Sequence, residues 1–161
     1  MKKYTQTVLT ILMFGIVFAT GTLLVSVWIL PPAQLPPAIA MLNENMEDRN
    51  YPTNVTVNTN ITLNIEVYNF MGWVQYFFVR TKLANGTTMA SDTTPSPASL
   101  LQQNERIVSN GGVWRFPVQL NMTTPGLNYR LTFELWQYDS ALDAITYTGD
   151  WIHLPLNVTG P

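Results

Sequence analysis

The chain of 161 residues has no cysteine and a single histidine, His153. That absence removes a disulfide framework, a zinc cluster, a blue-copper site and a thiol nucleophile, each of which needs thiolates or paired imidazoles. Charge is equally scarce: 11% of residues are Asp, Glu, Lys or Arg, against about 25% in an ordinary soluble domain. Eight basic residues face ten acidic ones, a formal net charge of -2. No basic face exists to neutralise a phosphate backbone, so nucleic acid is not expected as a partner. Ser91, Ser96 and Ser99 lie in a Pro-rich loop without a Gly-x-Ser-x-Gly turn, which leaves no hydrolase nucleophile. Asp139, Asp143 and Asp150 flank a loop between strands but match no EF-hand spacing, and are expected to be solvated. On this reading the chain has no catalytic residue, no metal ligand set, no cofactor and no small-molecule substrate.

What the chain does have is one long apolar run. From Val8 to Leu30 there is no charge, and the polar residues are Thr10, Thr20, Thr22 and Ser26, whose hydroxyls can bond back onto a helix. At ~1.5 Å per residue this run reaches roughly 34 Å, enough to cross a hydrocarbon core of about 30 Å. It ends in Trp28-Ile29-Leu30-Pro31-Pro32 rather than a small-x-small exit, so a retained anchor is expected rather than a cleaved signal peptide. Lys2 and Lys3 then stay in the cytoplasm and everything past Pro31 lies outside the cell. The expected organisation is a cytoplasmic end at 1–7, a transmembrane helix at 8–30, a Pro-rich linker at 31–50 and an outer domain at 51–161.

Past Tyr51 the pattern changes to strict alternation, the mark of half-buried strands. Ile61, Leu63, Ile65 and Val67 alternate with polar neighbours, as do Leu127, Tyr129, Leu131, Phe133 and Leu135, and Ile152, Leu154, Leu156 and Val158. Further strands are expected at 54–57, 73–83, 105–108 and 113–120. About seven strands without an amphipathic helix predict an all-β, immunoglobulin-like sandwich, strands A to G, in which 105–108 is strand D. Pro125-Gly126 just ahead of Tyr129 has the form of a tyrosine corner, the ring opening strand F and its hydroxyl bonding back to upstream backbone. Trp151 is expected to open strand G.

The segments Asn50-Tyr51-Pro52-Thr53-Asn54-Val55-Thr56-Val57, Val67-Tyr68-Asn69-Phe70-Met71-Gly72, Gly126-Leu127-Asn128-Tyr129-Arg130-Leu131-Thr132-Phe133 and Trp151-Ile152-His153-Leu154-Pro155-Leu156-Asn157-Val158 resemble an archaeal membrane-protein family of unknown function numbered 1616. The resemblance spans roughly residues 50 to 158 and is weak over Thr94 to Gln103 and at Glu105-Arg106. It implies a membrane-tethered, outward-facing β domain and brings no catalytic residues with it.

Five Asn-x-Ser/Thr sequons, at Asn54, Asn60, Asn85, Asn121 and Asn157, are expected to carry glycans, which agrees with an exported domain. Strand parity turns Tyr76, Phe78, Arg80 and Lys82 outward on strand C, Trp136 and Tyr138 outward on F, and Trp151 and His153 outward on G. Trp73, Tyr76, Phe78, Trp136, Tyr138, Trp151 and His153 are therefore the expected partner interface, gathered at the pole where the tether enters. The function these features predict is a single-pass membrane glycoprotein, a non-catalytic accessory or structural subunit of a larger membrane or envelope assembly with protein partners. The alternative is a pilin-like filament subunit, against which stands the lack of Gly or Ala at a prepilin cut near Lys3-Tyr4-Thr5.

Overall fold

The computed structural model describes residues 34–160, which form eight strands. The expected helix at 8–30 lies outside the described residues. Two sheets face each other. The smaller holds β1 (Ala38–Leu42), β3 (Asn60–Tyr68) and β6 (Val113–Asn121) in the order β1-β3-β6; the larger holds β2 (Asn54–Thr56), β8 (Ala144–Thr159), β7 (Gly126–Asp139), β4 (Gln75–Ala84) and β5 (Leu100–Val108) in the order β2-β8-β7-β4-β5. Every pairing is antiparallel except the short edge of β2 on β8. In sandwich lettering the small sheet is A-B-E and the large one A′-G-F-C-C′, so the all-β, immunoglobulin-like class is met.

Alternation explains the core. Ile61, Leu63, Ile65 and Val67 of β3 and Trp114, Phe116 and Val118 of β6 face Phe77 and Val79 of β4, Leu131, Phe133 and Leu135 of β7, and Leu154, Leu156 and Val158 of β8. Side chains at every second position share one face of a strand, so one register closes all five apolar rows on the same interior.

Three expectations about elements change. The stretch read as linker contains β1, whose Ile39 is buried and whose Tyr68 and Asn64 partners place it beside β3. The turn after it is built on buried Asn43, whose side-chain oxygen accepts the N–H groups of Asn45 and Glu47 while its amide donates to the Arg49 carbonyl. Ala38–Leu42 is too short for a period to show against its Pro-rich surroundings. Second, Glu105–Val108 is the end of β5, which pairs with β4 and joins the large sheet in the C′ place rather than serving as strand D of the small one. Third, β8 opens at Ala144 and not at Trp151, so the two long strands are joined only by residues 140–143. A bulge in β8 accounts for the offset. Trp136 faces Tyr147, yet Glu134 faces Trp151, so β8 uses two extra residues there. Gly149 in the bulge has φ +86°, and a Cβ on it would lie 2.4 Å from the Asp92 carbonyl oxygen, so the position admits no side chain. The bulge turns Asp150 toward the small sheet, where its carboxylate accepts the Ile39 N–H at 2.9 Å. Burial raises the Asp150 pKa, opposed by this bond and one to Trp151.

Tyr129 behaves as a corner, but a loose one. Its hydroxyl donates to the Pro125 carbonyl at 3.4 Å in an exposed setting, and its ring lies over Gly126, where any Cβ would collide with it. A long, solvated hydrogen bond contributes little net stability, whereas the half-buried ring contributes by packing. Tyr129→Phe should therefore cost about 0.5 kcal/mol or less, and Tyr129→Ala about 1 to 2 kcal/mol, read by chemical denaturation of the full chain. Equal losses for the two variants would show that the hydroxyl, not the ring, is what matters.

Candidate functional site

The strands divide the sandwich into two unlike ends. β3, β5 and β7 finish at one end, and β1, β4, β6 and β8 begin there. This entry pole is held together by Asn69, fully buried. Its amide donates to the carbonyls of Trp73 and Val108 at 2.8 and 2.9 Å, its oxygen accepts the Met71 N–H, and its backbone pairs with Gly112 and Gly111. One side chain thereby closes the β3–β4 turn and fastens it to the β5–β6 turn, satisfying groups that burial would otherwise penalise. Gln75 then donates to the Tyr138 carbonyl and accepts from the Trp73 indole. Trp73, Val74, Gln75, Tyr76, Ile107 and Tyr138 line a shallow hollow of about 300 Å³. Chain entry is at the same end, for the Leu35 N–H donates to the Phe70 carbonyl at 3.2 Å. The expected side of entry is observed, but through β1; the segment 54–57 runs at the other end.

The expected interface residues separate. Trp73, Tyr76 and Tyr138 do meet at the pole. Phe78 does not stand outward for a partner: it is 4% exposed, packed on Tyr76 with ring centroids 4.4 Å apart. Trp136 lies further in, half-buried beneath the Arg80 guanidinium, which sits 4.0 Å from its ring centre. Trp151 and His153 stack on each other opposite Glu134 and Thr132, well away from the pole, because β8 began seven residues earlier than expected. The pole instead recruits Val74, Ile107, Leu142 and Ile145. Ile145 and Tyr147 continue the alternation of β8 upstream, a signal present in the sequence; the contribution of Ile107 depends on β5 joining β4.

The segment 85–99 covers the part of the large sheet's outer face around Lys82, Glu134 and Tyr147. Lys82 and Glu134, cross-strand diagonal neighbours on that face, form a buried ion pair at 3.0 Å, with Glu134 wholly enclosed. Glu134 also accepts the Ser96 N–H at 2.6 Å and the Trp136 indole N–H at 3.0 Å, and Lys82 donates to the Ser96 carbonyl at 2.6 Å. Tyr147 donates to the Ser91 carbonyl, so the segment crosses from β4 to β8 and returns to β5. Outward parity for Lys82 is right, but the strap buries it. Removing one partner of such a pair strands the other charge, at about 3 to 5 kcal/mol. Lys82→Met should show that loss in chemical denaturation and open 85–99 to protease, while Lys82→Met with Glu134→Leu should regain most of it. A double variant as unstable as the single one would mean the strap depends on something other than the charge balance.

His153 has its pKa lowered, first by burial and then by nearby Arg130. The folded chain thus favours the neutral ring. Its contribution to stability is whole above the ordinary value of 6.5 and is lost as pH falls toward the folded value. His153→Gln should flatten the stability profile between about pH 7 and 5, and an unchanged slope would assign that slope to other groups.

All five sequon asparagines lie at the far pole. Asn54 and Asn157 are register partners, as are Asn60 and Asn121, and Asn85 follows the end of β4. Within each pair the side chains bond to each other, Asn157 to Asn54 at 3.0 Å and Asn121 to Asn60 at 2.8 Å. Beside them Asn43, Glu44, Glu47, Asn54, Asn60 and Thr62 border a polar cleft of about 490 Å³. Asp139 caps the β7–β8 turn through the Ala141 and Leu142 N–H groups, and Asp143 accepts the Tyr138 hydroxyl. Among the described residues no three His, Asp or Glu side chains converge as a metal group.

The architecture defines an all-β module of the immunoglobulin-like class. It is similar to the CARDB domain of a Pyrococcus furiosus protein, a structure in complex with di-metal ions, at 14% identity and a TM-score of 0.51 over 78% of this chain and 94% of that one. Looser likenesses are to a Listeria innocua β-glucosidase (9% identity, TM-score 0.48, 77% of this chain and 16% of that one) and to the C-terminal domain of wzt (12%, 0.46, 75% and 70%). No family profile and no curated protein matches the chain, so the comparisons establish the fold alone.

Proposed function

We propose that this chain is a single-pass membrane glycoprotein whose immunoglobulin-like domain stands outside the cell as a non-catalytic accessory subunit of a larger membrane or envelope assembly. One observation carries the reading: the charge-free run Val8 to Leu30 leads within five residues to Leu35 at one pole of the sandwich, while every sequon lies at the other. A tethered, glycosylated domain needs that separation, because glycans must clear the membrane surface. The ionisable groups that do cluster support a structural role. Lys82 and Glu134 hold the strap, and Glu66 is held between Arg115 and the Tyr68 hydroxyl. Their hydrogen-bonding capacity is used within the fold.

The test is on native membranes. The chain should stay in the pellet after alkaline carbonate extraction, and its intact mass should fall on deglycosylation. The register pairs further limit occupancy, since a glycan on Asn54 crowds Asn157 and one on Asn60 crowds Asn121. At most three glycans are expected, one per pair and one on Asn85. Release of the chain by carbonate, or an unmodified mass, would reject the reading, and four or five glycans on one molecule would reject the crowding argument.

A further inference from the structure

Among the described residues thirteen large apolar side chains are exposed, and nine of them belong to the entry pole. They come from separate turns. Val74 is 60% exposed, Ile107 66% and Leu142 67%, and Phe70, Trp73 and Tyr138 stand beside them in sequence or across the strands. Residues 35–38, 68–75, 107–113 and 137–145 contain only two charged side chains, Asp139 and Asp143. Both are already engaged, Asp139 with the Ala141 and Leu142 N–H groups and Asp143 with the Tyr138 hydroxyl. An exposed patch of this breadth signals a surface that something covers.

Two observations decide what covers it. The first is reach. From Leu30, the last residue of the charge-free run, to Leu35 at the pole is five residues, a stretch that reaches no further than about 16 Å. The second is composition: Trp73 and Tyr138 stand among aliphatic side chains, and the two charged residues of these turns are already bonded. Within that reach lies the bilayer itself. Trp and Tyr are the residues favoured at the headgroup level.

We propose that the pole formed by Phe70, Trp73, Val74, Ile107, Tyr138 and Leu142 rests in the headgroup layer of the outer leaflet that holds the N-terminal run. This rests on the membrane-anchored reading above. Trp73 and Tyr138 occupy the headgroup level, while Val74, Ile107 and Leu142 lie deepest. The domain is thereby fixed upright, with the sequon pole directed away from the membrane, rather than swinging on its tether.

The absence of cysteine makes the test direct. Leu142→Cys and, at the far pole, Leu127→Cys, which replaces a side chain 69% exposed, are each labelled with an environment-sensitive fluorophore on the full chain. The labelled chains are reconstituted into phosphatidylcholine vesicles and recovered by flotation. The Leu142 label should shift to the blue and lose most of its emission to nitroxide lipid, while the Leu127 label keeps its aqueous emission. Val74→Cys should repeat the Leu142 result. If the chain floats but both labels report water, the docking proposal is wrong and the anchored reading stands. If the chain does not float, both are wrong. A Leu142 shift that appears only as the protein-to-lipid ratio rises identifies a second copy as the cover and overturns the proposal.

Discussion

Strand β7 is enclosed on both faces, and that constraint organises the domain. Leu131, Phe133 and Leu135 meet the small sheet, while Thr132 and Glu134 on the opposite face are equally sealed from solvent. An ordinary sandwich leaves the second face wet, and a carboxylate there needs no partner. Here the strap 85–99 removes the water, so Glu134 must be compensated, and Lys82, Ser96 and Trp136 supply the bonds. The same strap fixes the bulge, since the Asp92 carbonyl sits where a side chain on Gly149 would be. Through the bulge Asp150 reaches the Ile39 N–H of β1. Closure of one sheet face is thus linked, bond by bond, to the edge of the other sheet.

The two poles differ because their turns draw on different chemistry. At the entry pole the turn backbone is satisfied internally, largely by Asn69, which lets the side chains around it be apolar without leaving polar groups unpaired. At the far pole asparagines bond across strands and the turn after β1 carries Glu44, Glu47, Asp48 and Arg49. The division is one of turn and surface chemistry, since both ends close over the same apolar core. The immunoglobulin-like scaffold itself is indifferent to function, which is why the likeness to a CARDB domain establishes architecture while the surface carries the functional proposal.

Much of this was legible in the sequence. Alternation alone identified the inward rows of β3, of β7 from Tyr129 onward and of β8 from Ile152 onward, because burial on one face of a pleated strand imposes a period of two whatever the partner strand. Leu127, read into the same row, is exposed because it lies at the far end of β7, beyond the core. The Pro-Gly turn ahead of Tyr129 announced a corner, and the positions of the sequons were visible as residues though not as neighbours. The composition itself determined that no thiol chemistry or zinc cluster could be built from this chain.

Only the tertiary structure decided the rest, and in each case the reason is an interaction between residues distant in the chain. Ala38–Leu42 is a strand because β3 offers it an edge; its five residues carry no period of their own. β5 belongs with β4, a choice between two sheets that alternation does not encode. Phe78 and Lys82 have outward parity yet are buried, because parity states which face a side chain occupies and not whether that face is covered. Trp151 and His153 are displaced from the aromatic pole by the length of β8 and its bulge, and the five asparagines converge at one end because strand direction sorts them there. The sequence determined which side chains share a face, a consequence of local backbone geometry; which faces are sealed and which ends meet followed from long-range pairing.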